Sequence, residues 1–223
     1  MIRSTLSTAV LLLVLPSLAF AQNSSRTVAR IEQKGNRLEV VTNDGTYLIT
    51  PYSDRIMETV FVPKGEAHDS RSHAVVMAPK AAGTLRTVEG AVEFATGGIS
   101  ATVTRAPFGI GYSYKGKPLV AEKNGYTRPG KLETTDFALT PDAALYGSGA
   151  RESIDFAFAP DEALYGGVAR ALGMNRRGHR LPLYNKAHYG YGQKSEQMSY
   201  AMPLVLSSKM YMVHFDNPTT GFL

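Results

Sequence analysis

The sequence predicts an all-β fold, a β-sandwich with one or two short helices, on three observations. Short runs of β-branched and aromatic residues recur at roughly ten-residue spacing between turn residues. One of these runs alternates strictly, with Ile99, Ala101 and Val103 on one face and Ser100, Thr102 and Thr104 on the other, as a strand with one wet side does. Before Ala163 no run with i, i+3, i+4 apolar spacing reaches helical length. Such a series of short strands closes into a sandwich or a barrel.

The first element is not part of that fold. Residues 1–21 read as a secretory signal: a single positive charge at Arg3, the apolar run Ala9 to Leu15, and the small-residue site Ala19-Phe20-Ala21 before Gln22. The apolar stretch is shorter than the about 20 residues of a membrane-spanning helix. The expectation is an exported chain, periplasmic or extracellular, cleaved after Ala21, with no membrane span left and one domain over residues 22–223.

Strands are then expected at Thr27 to Glu32, Arg37 to Thr42 and Thr46 to Thr50, separated by Lys34-Gly35-Asn36 and Asn43-Asp44-Gly45. Short connections of Asn, Asp and Gly between β-branched runs are strong hairpin signals. Ile56 to Val62 reads as the next strand, closed by Pro63-Lys64-Gly65. The polar stretch Glu66 to His73 contains His68, Asp69 and His73, but ligands from one loop without further partners do not make a metal site, and a solvated loop is the reading. Strands resume at Thr84 to Val88, Ala91 to Ala95 and Ile99 to Thr104. Phe108 to Tyr114, the turn Lys115-Gly116 and Lys117 to Val120 form a further strand, turn and strand.

Residues 137–151 and 156–170 are a tandem repeat. Nineteen positions apart, ten of fifteen aligned residues are identical, among them Phe137 and Phe156, Pro141 and Pro160, Asp142 and Asp161, and Arg151 and Arg170. Two copies do not make a solenoid. Because nineteen is odd, one continuous strand through both copies would put equivalent side chains on opposite faces, so one copy loops out or each has its own place.

Composition narrows the partners. The 223 residues include no cysteine, so the fold uses no disulfide, and the formal charge of +5 falls to +4 without Arg3. The excess is scattered, with Arg176, Arg177, His179 and Arg180 the one dense basic run, which together with export argues against a nucleic-acid partner. No cofactor and no metal are expected.

The motifs in combination resemble one family. Tyr52-Ser53-Asp54-Arg55-Ile56, Ser72-His73-Ala74-Val75 and Arg105-Ala106-Pro107-Phe108-Gly109-Ile110 come first. They are followed by Pro160-Asp161-Glu162-Ala163-Leu164-Tyr165-Gly166, Asn175-Arg176-Arg177-Gly178, the run Leu183 to Tyr191, and Met202 to Ser208 with His214 to Pro218. In this order they are similar to the N-terminal domain of family 31 glycoside hydrolases, the α-glucosidases and α-glucosyltransferases. The resemblance implies a galactose-mutarotase-like β-sandwich placed before a (β/α)₈ barrel that carries both catalytic carboxylates. The sequence stops at Leu223, about where such a sandwich leads into its barrel, so no catalytic residue is expected within it and the chain alone is expected to be inactive. Its acids, Asp142, Asp161, Glu162 and Asp216, sit singly in turns and form no nucleophile and acid pair. The partners implied are an α-linked oligosaccharide bound by the complete enzyme and a catalytic barrel on another chain. The competing reading is a stand-alone envelope carbohydrate-binding protein or a small outer-membrane β-protein.

The repeat departs from the family pattern. The first copy has Ala143 where the motif has Glu, and the second has Phe158 and Val168 where it has Leu and Gly. Asn185, His188, Tyr189 and Tyr191 are the candidate carbohydrate-binding residues, since amide and imidazole bond to hydroxyls and aromatic faces stack on pyranose rings. The alternative is that Tyr184, Tyr189 and Tyr191 are alternating strand positions facing one side of a sheet. Arg151 and Arg170, each after a glycine-rich turn, are candidate loop anchors through backbone carbonyls. Met198, Met202, Met210 and Met212 read as strand-core residues. Two late strands are expected over Val205-Leu206 and Met210 to Phe215.

Overall fold

The computed structural model describes residues 25–72, 74–127, 153–167, 169–185, 187, 189–195, 198–216 and 221–223. The expected signal segment, His73, the first repeat copy with Arg151, and His188 lie outside the described residues.

The first sheet is an antiparallel meander of β1 (Val28–Lys34), β2 (Arg37–Thr42), β3 (Gly45–Ser53) and β4 (Ile56–Pro63). Its first connection is Gly35-Asn36, where Gly35 takes the left-handed φ of +61° that the tight reversal requires. The second sheet contains β5 (Thr84–Val88), β6 (Ala91–Ala95), β7 (Ile99–Arg105), β8 (Phe108–Tyr114), β9 (Lys117–Thr127) and β10 (Ser153–Ala157), in the order β10-β9-β8-β7-β6-β5. Between β8 and β9, Lys115 and Gly116 have φ of +48° and +74°, the doubly left-handed pair of a two-residue hairpin turn whose twist matches the strands.

The two sheets pack face to face. Leu38, Val40, Tyr47 and Ile49 from the first meet Val92, Phe94, Ala101, Val103, Phe108 and Ile110 from the second in one buried cluster. The alternation along β7 therefore puts its apolar residues in this core. Its other face is not uniformly wet, because Ser100 is buried and its hydroxyl pairs with that of Ser113 across β8 at 2.7 Å.

A smaller antiparallel sheet combines β11 (Leu164–Gly166), β13 (Leu204–Ser207) and β14 (Met212–His214), and a short ladder joins β12 (Pro182–Leu183) to β15 (Gly221–Phe222). The two late strands thus form as the sequence implies. The methionines do not make a strand core: Met202, Met210 and Met212 are exposed. No helix occurs among the described residues, so the one or two short helices expected have no counterpart there. After Ala163 the backbone groups go to strand and loop partners instead: Leu164 pairs with Ser207, and Gly166 and Gly167 hold left-handed backbone that ends any regular run.

Candidate functional site

Between β12 and β13 no strand forms among the described residues, so Tyr184, Tyr189 and Tyr191 are not alternating positions of a sheet. The reason is a missing partner: among the described residues no neighbouring strand supplies a ladder to Tyr189-Gly190-Tyr191-Gly192, whose period-two pattern comes from intervening glycines. The Asn185 side-chain oxygen instead accepts the Ala201 N–H at 2.7 Å, which closes residues 185–201 at the base. That loop displays Tyr189 at 94% and Tyr191 at 52% exposure, with Tyr200 exposed as well. Two clefts, of about 430 and 400 Å³, open on the six-stranded sheet around Ser100 and around Gly111 and Phe158. Neither is lined by Asn185, Tyr189 or Tyr191, so the tyrosines stand clear of both.

A second polar group is buried at one end of the sandwich. The Arg26 guanidinium makes bidentate contact with Asp44, donating from Nε at 2.9 Å and from Nη2 at 2.7 Å, and its Nη1 donates to the Tyr47 hydroxyl at 2.6 Å. Its Nη2 also donates to the Tyr126 carbonyl, tying the N-terminal segment to β9, and its Cζ lies 4.9 Å from the ring centroid of Phe61. Across the same end, Tyr112 Oη is within hydrogen-bond distance of both Glu122 Oε1 (2.9 Å) and Thr59 Oγ1 (2.8 Å), which joins β8, β9 and β4. Glu122 is 2% exposed, and its Oε2 has no hydrogen-bond partner among the described residues. Burial raises the Glu122 carboxyl to a pKa of about 7 even though the Tyr112 hydrogen bond and the Arg26 charge oppose the shift. Asp44 goes the other way: burial pushes it up, but the Arg26 hydrogen bonds prevail and hold it below the usual carboxylate range. No residue-level signal links positions 26, 44, 112 and 122 in the sequence, and only the topology brings them together.

Glu162 forms a third centre. It does not sit open in a turn: it is 2% exposed, accepts the Ala159 N–H at 3.0 Å through Oε2, and accepts the hydroxyls of Ser207 and Tyr211 through Oε1. Burial first and the Glu162 hydrogen bond second raise the Tyr211 pKa. Arg177 closes the same turn from outside, donating to the carbonyls of Glu162 and Ala159. The contrast between Glu162 and Ala143 in the repeat was the signal that could have marked it.

Arg170 is 7% exposed, and its Nη2 donates to the Pro182 carbonyl at 2.7 Å, which fastens the turn after β11 to β12. Its Nε and Nη1 have no hydrogen-bond partner among the described residues, and burial followed by the Arg176 charge lowers its pKa. In the polar loop after β4, Asp69 pairs with Arg71 at 2.8 Å. Among the described residues no group of three or more His, Cys, Asp and Glu could hold a metal ion.

The family described as "Glycosyl hydrolase 31 N-terminal galactose mutarotase-like domain" matches residues 46–223. Among solved structures, the chain is similar to a GH31 dextranase of Flavobacterium johnsoniae, with a TM-score of 0.71 and 19% identity over 90% of this chain and 23% of that one. It is also similar to a GH31 α-xylosidase of Xanthomonas citri, with a TM-score of 0.62 and 19% identity over 83% of this chain and 19% of that one. A cycloalternan-forming enzyme of Listeria monocytogenes gives a TM-score of 0.58 and 15% identity over 87% of this chain and 17% of that one. At these identities the likeness shows the fold, and the chain spans a quarter or less of the length of each of these three. No curated protein matches the chain.

Proposed function

Because the chain belongs to the family of glycosyl hydrolase 31 N-terminal galactose mutarotase-like domains, we propose that it is the carbohydrate-associated accessory domain of an α-glucan-active enzyme, supplying one wall of a sugar pocket. The observation that carries this reading is the loop closed by Asn185 and Ala201, which holds Tyr189 and Tyr191 in water and away from the clefts of the domain. An exposed aromatic face has nothing to gain where it is, whereas against the apolar face of a pyranose it loses water on both sides. Such side chains fit a pocket completed by a second body, a (β/α)₈ barrel carrying the two carboxylates that glycoside hydrolysis needs. Asn185 shapes this loop, since its amide oxygen is engaged with backbone, and the tyrosines meet the sugar.

The chain by itself is expected to release no glucose from maltose and no aglycone from an aryl α-glucoside. Turnover that co-purifies with the chain through successive columns would end the reading. Added to a separately expressed family 31 barrel, the chain is expected to lower KM for maltose or isomaltotriose, and Tyr191→Ala is expected to raise KM again with a smaller effect on kcat. If KM is indifferent both to the chain and to the tyrosines, the loop has no part in sugar recognition. An aryl α-xyloside run beside the glucoside separates α-glucan from α-xyloside preference.

A further inference from the structure

The described residues contain one slot for a segment that the sequence supplies twice. Residues 153–170 fill it: Ser153–Ala157 pairs with β9, the turn at Pro160 follows, and Leu164–Gly166 pairs with β13. We infer that residues 134–151 compete for this same slot, and that two positions, Glu162 and Gly167, decide for the second copy.

Most of the contacts in the slot do not distinguish the copies. Arg177 donates to the carbonyls of Ala159 and Glu162, Arg176 N–H to the Leu164 carbonyl, and Ser208 N–H to the Ala163 carbonyl. All of these are backbone acceptors that either copy offers. Residues identical in both copies make the rest: Phe156 packs 6.0 Å from Phe215, Leu164 and Tyr165 pair with Ser207 and Leu206, and Phe137, Leu145 and Tyr146 stand at the same places in the first copy. Gly166, at φ +119°, has no room for a side chain against the Leu204 carbonyl, and the first copy has Gly147 there. Its remaining differences, Thr134 for Ser153, Thr135 for Ile154, Leu139 for Phe158, Thr140 for Ala159 and Gly149 for Val168, remove none of the acceptors and contacts just named.

Two positions discriminate. Glu162 supplies acceptors to Ala159 N–H and to the hydroxyls of Ser207 and Tyr211, and Ala143 would leave all three without that partner. Gly167 has φ +63°, and a Cβ there would stand 2.7 Å from Leu181 Cδ1. The first copy has Ser148, which meets both the steric conflict and the left-handed backbone. Exchanging copies moves nineteen residues from one side of the slot to the other, and since loop entropy varies only with the logarithm of length, chain connectivity alone does not enforce the choice. Ala143 and Ser148 therefore keep the chain in a single register.

The test is hydrogen exchange followed by mass spectrometry on the full chain. With Ala143→Glu and Ser148→Gly the copies become equivalent at both deciding positions. The expected result is two populations, one of which, relative to the unmodified chain, loses protection over 153–170 and gains it over 134–151. Adding Glu162→Ala and Gly167→Ser to that variant is expected to move protection wholly to 134–151 and to raise the melting temperature above that of Glu162→Ala, Gly167→Ser alone. The first variant keeps an intact second copy, so it is readable even where the others fail to fold. One population with protection unchanged from the unmodified chain overturns the inference, and so does a four-residue variant no more stable than the two-residue one.

Discussion

Glu162→Ala is expected to lower the melting temperature of the purified domain by about 6–12 °C. The side chain is buried and satisfies three donors, Ala159 N–H, Ser207 and Tyr211, and its removal leaves each without an acceptor. A buried donor stranded in this way costs about 1–3 kcal/mol. Partial rehydration of the half-buried Tyr211 keeps the sum near ~3 kcal/mol, at about 2–4 °C per kcal/mol for a domain of this length. Because the turn joins β10 to β11, its loss also loosens Leu164 from Ser207 and the small sheet from the main one. Glu162→Gln keeps an acceptor at Oε1 and is expected to fall well short of the alanine variant. An alanine variant melting within about 2 °C of the unmodified chain would show that water replaces the carboxyl at no cost.

The same centre shows what could be read without coordinates. The strands were legible because their limits are set by local chemistry: Lys115-Gly116 has to reverse the chain, and Ile99, Ala101 and Val103 have to share a face. The late pair β13 and β14 was legible for the same reason. Tyr189 and Tyr191 were not placed by pattern, since alternation describes a strand only where a neighbouring strand offers its backbone, and here Asn185 closes the segment on Ala201 instead. The importance of Glu162 was half visible: the repeat marked it as the acid that one copy lacks, but the hydroxyls that make it matter come from 45 and 49 residues further on. Arg26 and Glu122 were invisible, as nothing at either position hints that the N-terminal segment crosses the end of the sandwich to reach β9.

Glu122 gives the domain an unusual pH dependence, with stability expected to fall as pH rises from about 4.5 to about 7. The group is buried, its Oε2 lacks a partner among the described residues, and the charged and titratable groups there that bear on it include Tyr112, Arg26 and Tyr47. Its folded pKa of about 7 lies above its ordinary value of 4.5, so in that interval the folded state holds a proton that the unfolded state has lost. The folded state binding more protons, the derivative of unfolding free energy with pH is negative: the contribution is complete below the unfolded pKa and gone above the folded one. The difference amounts to ~3 kcal/mol at about 1.4 kcal/mol per pH unit. Asp44, held low by Arg26 against its burial, and Glu39, held low by Lys34 and Arg37, act with the opposite sign, and their contributions disappear as pH falls through their depressed pKa values. The two sets therefore oppose each other, Glu122 favouring the folded state at lower pH and Asp44 and Glu39 favouring it at higher pH. Urea titrations at pH 5, 6, 7 and 8 measure the slope directly, and Glu122→Gln, which cannot ionise and keeps an acceptor for Tyr112, is expected to flatten it. If the glutamine variant keeps the slope of the unmodified chain, some other group is the one that titrates.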